Sequence, residues 1–214
     1  MKNMFIVLEG GEGAGKTALA NNLVAYYNSN TDFNAIYLRE PGGDQISEQI
    51  RNIVLNNDLD PYTQLLLFSA ARKRNMHINV KPLLSKPDKT IIICDRFILS
   101  TIVYQGIVQG VPLQNIYYIM DMICGEIRPD IEIVLDVDPA IGLNRIKENN
   151  REINNLDAKG IEFHSKINNA YKAYTYGAKY RTILDANQDP ETIMNKACKF
   201  INAILKIEGM TNDK

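Results

Sequence analysis

Residues 10–17 read Gly10-Gly11-Glu12-Gly13-Ala14-Gly15-Lys16-Thr17, which fits the spacing G-x-x-x-x-G-K-[ST]. Four glycines in six residues let the backbone turn until successive N–H groups face one concavity. The helix expected from Lys16 adds its positive dipole end. Such a cradle takes the phosphates of a nucleotide, with Lys16 reaching the β- and γ-phosphates and the Thr17 hydroxyl ligating Mg2+. A second acidic element, Asp95, directly follows the apolar run 90–94 and has Arg96 beside it. A carboxylate at the carboxyl end of a strand in a parallel sheet points into the ligand crevice. Asp95 is therefore the expected partner of Thr17 in holding the metal or its water.

A phosphate loop serves several enzyme classes. A GTPase should carry a base-reading N-K-x-D motif after a strand. Asn195-Lys196-Ala197-Cys198 lacks the aspartate and falls in a helical pattern. There is no transporter-type LSGGQ string either. A small-molecule kinase is the leading class, and a regulatory or scaffold protein that binds nucleotide without turnover is the alternative from a different class.

These residues need a scaffold, and the apolar pattern supplies one. Runs at 4–8, 35–38, 90–94, 131–137 and 181–184 are nearly continuous in apolar residues, as expected for parallel strands covered on both faces. Helical patterns lie between and after them at 16–28, 45–56, 61–84, 100–126 (broken near Gly110–Pro112), 139–149, 158–179 and 191–206. The alternation predicts an α/β fold with a five-stranded parallel sheet covered by helices on both faces. Pro61, Pro129, Pro139 and Pro190 sit at element starts or in the turns before them. The polar, Asn-rich stretch 147–159 reads either as a solvated helix–helix connection or as a short lid, with the whole chain, 1–214, one domain.

Lys and Arg total 24 against 25 Asp and Glu, a formal net charge of −1, which argues against a nucleic-acid coat without excluding one small anion. Cys94, Cys124 and Cys198 form no CxxC pair and read as reduced thiols. The N-terminal apolar run is short for a secretory signal, and no run approaches the ~18 residues of a membrane span. The expectation is a cytoplasmic chain without membrane or nucleic-acid partners. His77 and His164 fall far apart on helical patterns, and the late tyrosines Tyr171, Tyr174, Tyr176 and Tyr180 read as helix packing.

Further motifs occur in order: Arg39-Glu40-Pro41-Gly42-Gly43, Phe68-Ser69-Ala70-Ala71-Arg72, Asp95-Arg96-Phe97, Ser100-Thr101-Ile102-Val103-Tyr104-Gln105-Gly106, Arg128-Pro129-Asp130 and Leu135-Asp136-Val137. With the phosphate loop they make nearly the whole chain resemble the thymidylate (dTMP) kinases. The resemblance implies a P-loop nucleoside monophosphate kinase fold with a short lid, and Mg-ATP-dependent phosphorylation of dTMP to dTDP. The nearest rival is a related kinase that also takes dUMP or another deoxynucleoside monophosphate. Residues Gly10–Thr17 and Arg145 would bind ATP. Arg39 and Arg51 are placed to clamp the acceptor 5′-phosphate, for which bidentate guanidinium geometry is suited. Arg96 would sit between acceptor and donor phosphates. Phe68 and Arg72, four apart on one helical face, would stack on thymine and donate to a base carbonyl. Thr101 and Gln105 repeat that spacing toward the other base edge, beside Ser100. Tyr104 would pack on the deoxyribose, and Glu12 would accept from its 3′-hydroxyl.

Positions 11–14 hold no basic residue, so the chain resembles the bacterial type whose transition-state arginine comes from the lid. Here Asn155 stands where that arginine is expected, before Leu156-Asp157, and Arg151 is the substitute, making Lys16, Arg96 and Arg151 the catalytic cations. The Ala186-Asn187-Gln188 loop is a further candidate near adenine. The resemblance also implies a homodimer packed through helices.

Overall fold

Each apolar run becomes a strand because it has two faces to bury. In the computed structural model, which describes residues 3–87, 89–148 and 154–210, the strands are β1 (Met4–Gly10), β2 (Asn34–Arg39), β3 (Thr90–Asp95), β4 (Ile131–Asp136) and β5 (Tyr180–Asp185). They form one parallel sheet in the order β2-β3-β1-β4-β5. The two-residue period sends Met4, Ile6, Leu8, Ile91, Ile93, Ile131, Ile133 and Leu135 to one face. There they meet Leu19, Leu23 and Tyr27 of α1 (Lys16–Asn30) and Ile193, Ile201 and Leu205 of α9 (Pro190–Ile207). Phe5, Val7, Ile92, Cys94 and Val134 face the opposite layer.

That second layer holds α3 (Pro61–Asn75), α5 (Ile98–Thr101), α6 (Leu113–Cys124) and α8 (Ile161–Ala173). The remaining helices are α2 (Gln45–Asn56), α4 (Lys81–Leu84) and α7 (Pro139–Glu148). Pro61, Pro139 and Pro190 each open a helix, as expected of a residue with a fixed φ and no N–H to satisfy. Asp60 and Asp189 cap two of those starts by accepting backbone N–H bonds from Thr63 and Thr192.

One expectation holds with a change of winding, and two need correction. The helix expected over 61–84 is wound as a π-helix at Met76–Val80, between α3 and α4. The helix before the Gly110 break begins earlier, at Ile98, and its second half, Ile102–Val108, is also π-wound. The pattern 158–179 yields a helix only over Ile161–Ala173, because the chain must leave it to reach the sheet edge. Tyr180 starts β5 opposite Ile131. The four late tyrosines therefore do not share one helix.

All the strands run the same way, so their carboxyl ends gather the loops that follow β1, β2, β3 and β4 on one edge. Among the described residues, no helix is long and apolar enough to cross a membrane.

Candidate active site

The loop after β1 wraps the start of α1. Lys16 is buried, and its Nζ donates to the carbonyls of Gly10 (3.0 Å) and Gly11 (2.8 Å). Burial lowers its pKa to about 8, with Arg96 adding to the effect and Asp95, Glu12 and Glu9 opposing it. The Thr17 hydroxyl donates to Asp95 Oδ2 at 2.6 Å, so the two oxygens named from the sequence do converge. Gly13 has φ +70°, and a Cβ there would lie 2.0 Å from the Gly142 carbonyl oxygen. In turn, a Cβ on Gly142 would lie 2.3 Å from the Glu12 carbonyl oxygen. The loop thus rests on α7 through two residues without side chains, and no motif marks Gly142.

A cleft of about 490 Å3 opens over this loop. Lys16, Arg39, Arg51, Arg96 and Arg145 line it, with Asp95 and Thr17 between them. The cations crowd one another: the Arg51 pKa is lowered by burial and then by Arg39 and Arg96. Charge gathered this way favours an anion. Arg39 is half-exposed and pairs with Glu48 at 2.7 Å, and Arg145 Nη1 donates to the Ala186 carbonyl at 2.9 Å. Gln188 of the loop after β5 also lines the cleft.

Arg96 follows β3 in the left-handed region, φ 71°, which a side-chain-bearing residue seldom adopts. The turn aims its guanidinium back over the loop. Nη1 donates to Gly10 O (3.1 Å), Ser100 Oγ (3.2 Å) and Tyr171 Oη (2.8 Å), and Nη2 to Glu12 Oε1 (2.9 Å). Burial opposes its charge, but Glu12, Tyr104 and Tyr171 outweigh that and raise the pKa. Tyr104 also donates to Glu12 Oε1, at 2.8 Å.

A narrower pocket adjoins the cleft. It is lined by Phe68, Arg72, Ser100, Thr101, Tyr104 and Gln105, and Asn154 and Leu156 close one side. Arg72 is buried and engages four of its five N–H groups: Nε to Glu40 Oε2 at 2.5 Å, Nη1 to Thr101 Oγ1 and Met120 Sδ, and Nη2 to Phe97 O. Gln105 Nε2 donates to Gln64 Oε1 at 3.2 Å. The Asn155 N–H donates to Leu55 O, which seats residues 154–157 against the end of α2. Arg151 lies outside the described residues.

The family model described as thymidylate kinase matches residues 8–197 of the chain. The chain belongs to the thymidylate kinase family. It is 39% identical to the thymidylate kinase of Clostridium novyi over 79% of this chain and 83% of that one. Identity to the thymidylate kinase of Bacillus licheniformis is 35%, over 96% of this chain and 98% of the relative. The crystal structure of thymidylate kinase from Ehrlichia chaffeensis superposes with a TM-score of 0.73 at 28% identity, covering 94% of this chain and 99% of that one. The fold is accordingly that of the P-loop nucleoside monophosphate kinases, and the chain is an enzyme of that class.

Within this thymidylate kinase family site, the sequence reading missed Glu9, Glu40 and Tyr171. Glu9 directly follows the apolar run 4–8 and belongs to no motif. It is fully buried, Oε1 accepts from the N–H groups of Phe97 and Ser100, and Oε2 accepts from Ser100 Oγ at 2.6 Å. Burial pushes its carboxyl up, against the Ser100 bond and the Arg96 charge. Glu40 sat inside a quoted motif without a role and is the buried partner of Arg72 and Asn75. Tyr171, read as packing, places its hydroxyl on Arg96 and Ser100. A carboxylate inside an apolar strand was the one available signal, since burying it requires partners.

Proposed function

We propose that the protein transfers the γ-phosphoryl group of ATP to the 5′-phosphate of dTMP, giving dTDP and ADP. One observation carries this reading. The phosphate-loop cleft and the aromatic pocket are lined in common by Glu12, Glu40, Arg51 and Arg96, so their occupants would meet head to head at those cations. An acceptor phosphate oxygen is itself the nucleophile, so the protein has only to align two anions and stabilise charge. Residues Gly10–Lys16 hold the donor phosphates, with Arg145 and Gln188 on the side away from the acceptor. Arg39 and Arg51 hold the acceptor phosphate, and Arg96 bridges the two. Phe68 stacks on the base, and Arg72, Thr101 and Gln105 read its edge. Tyr104 and Glu12, locked together at 2.8 Å, meet the sugar.

The donor set fits Mg2+, which takes one or two protein oxygens and completes its shell with water and phosphate. Thr17 and Asp95 would hold it, and when bound it supplies positive charge across the β- and γ-phosphates. The thiols of Cys94, Cys124 and Cys198 are free, which suits a reducing cytoplasm. Tyr62 and Leu66 of α3 and Tyr118 and Met122 of α6 are exposed on helices that pack together, which favours a homodimer through that face.

A coupled ADP-release assay with ATP and a panel of monophosphates tests the reading. Turnover with dTMP well above that with AMP, CMP or dUMP is expected. Turnover with AMP or CMP and none with dTMP would overturn the base-site assignment, and ATP binding without turnover on any acceptor would overturn the enzymatic one.

A further inference from the structure

Tyr171 sits on the third-last residue of α8, fully buried, between two buried carboxylates that belong to different strands. On its hydroxyl side runs a directed chain. Ser100 gives its proton to Glu9, so Ser100 Oγ accepts from Tyr171 at 2.7 Å, and Tyr171 accepts in turn from Arg96 at 2.8 Å. That is the shortest of the three bonds made by Arg96 Nη1. On its backbone side, Arg181 of β5 donates from Nη2 to the carbonyls of Tyr171 (2.5 Å) and Tyr174 (3.0 Å). Its Nε pairs with Glu132 of β4 at 2.8 Å. Glu132 lies opposite Val7 in the register, two residues from Glu9 along the sheet and on the same face. The end of α8 is thereby tied to the sheet at the rear, and the Tyr171 hydroxyl is aimed at the cation in front.

We propose that Tyr171 is a positioning residue for Arg96, held from behind by the Glu132–Arg181 ion pair. The proposal rests on the reading of Arg96 as the residue between the two phosphates. Arg96 adopts a disfavoured backbone conformation, and its guanidinium must stay within a fraction of an ångström of its working place. Gly10 O at Nη1 and Glu12 at Nη2 hold it from the loop, and both belong to the segment that handles ligand. Tyr171 fixes it from a helix that does not line either pocket.

The test is a double-mutant cycle read in single-turnover phosphoryl transfer from ATP to dTMP, with KM for both substrates and Tm measured alongside. Tyr171→Phe keeps the ring and removes the hydroxyl. It should slow transfer about tenfold, the kinetic equivalent of one hydrogen bond to a charged group, while both KM values change less than threefold. In an Arg96→Met background the same change should slow transfer less than twofold, because the residue it positions is gone. An equal loss in both backgrounds, or no loss in the wild-type background, overturns the proposal while leaving Arg96 in its role. An Arg96→Met enzyme as fast as wild type overturns the reading of the site and the proposal with it. The rear clamp is tested by the paired variant Glu132→Gln/Arg181→Met, which leaves no lone buried charge. Slowed transfer at little-changed KM is expected, and full transfer activity overturns the clamp.

Discussion

Gly142 on α7 offers the sharpest test of how the scaffold supports the phosphate loop. Substitution by alanine would place a Cβ 2.3 Å from the Glu12 carbonyl oxygen and 3.3 Å from Val137 Cγ1. Carbon–oxygen contacts are ordinarily about 3.3 Å or longer, so loop and helix must part by about 1 Å. Overpacking of this kind costs about 1–3 kcal/mol. Two effects oppose each other, because alanine in a helix is favoured over glycine by about 1 kcal/mol. The steric term wins where the closest contact is a backbone carbonyl, as here, and the net loss is up to about 2 kcal/mol. At this chain length each kcal/mol lowers Tm by about 2–4 °C. The kinetic effect is larger, since Glu12 and the loop amides move with the carbonyl and a misplacement of about 1 Å costs roughly 100-fold. Differential scanning calorimetry and coupled ADP-release kinetics read the two effects. A Tm at or above wild type with unchanged kcat/KM for ATP would show that helix propensity dominates and that the contact is dispensable.

Four further outcomes follow from the ion pairs and the cations. Arg72→Met leaves the Glu40 carboxylate buried with Asn75 alone and should lower the stability measured by urea unfolding by about 3–5 kcal/mol. Arg39→Ala, whose partner Glu48 is about one-third exposed, should cost under about 1 kcal/mol while raising KM for dTMP. Burial, reinforced by Glu9 and opposed by Arg181, pushes the Glu132 carboxyl up to about 7 from an ordinary 4.5. A folded pKa above the unfolded one gives stability that is complete below about pH 4.5 and lost as pH rises through about 7. Relative to Glu132→Gln, the wild type should therefore lose about 2–3 kcal/mol between pH 5 and pH 8 in urea titrations, and parallel curves would contradict the assignment. Arg151→Ala should lower kcat at least tenfold, about 1.4 kcal/mol, with dTMP binding little changed, and an unchanged kcat eliminates Arg151 from the lid role.

The sheet and the motif-borne part of the site were legible in the order of residues alone. Parallel strands covered on both faces are nearly continuous in apolar residues, so the runs 4–8, 90–94 and 131–137 announced themselves. Glycine spacing marked the phosphate loop because a backbone cradle needs local chain geometry and little else. The convergence of Thr17 with Asp95, and of Phe68 with Arg72 beside Thr101 and Gln105, was also legible, since each pair lies near a strand tip or one turn apart on a helix. Residues brought together across the sheet were not legible. Glu9, Glu132, Tyr171, Arg181 and Gly142 come from three strands and two helices far apart in the chain. Their roles are defined by whom they meet: a buried carboxylate by its donors, a tyrosine by the cation at its hydroxyl, a glycine by the carbonyl that fills the space of its missing side chain. Local spacing encodes which groups can do chemistry here. Only the packing of α7 and α8 against the sheet decided which groups hold them still.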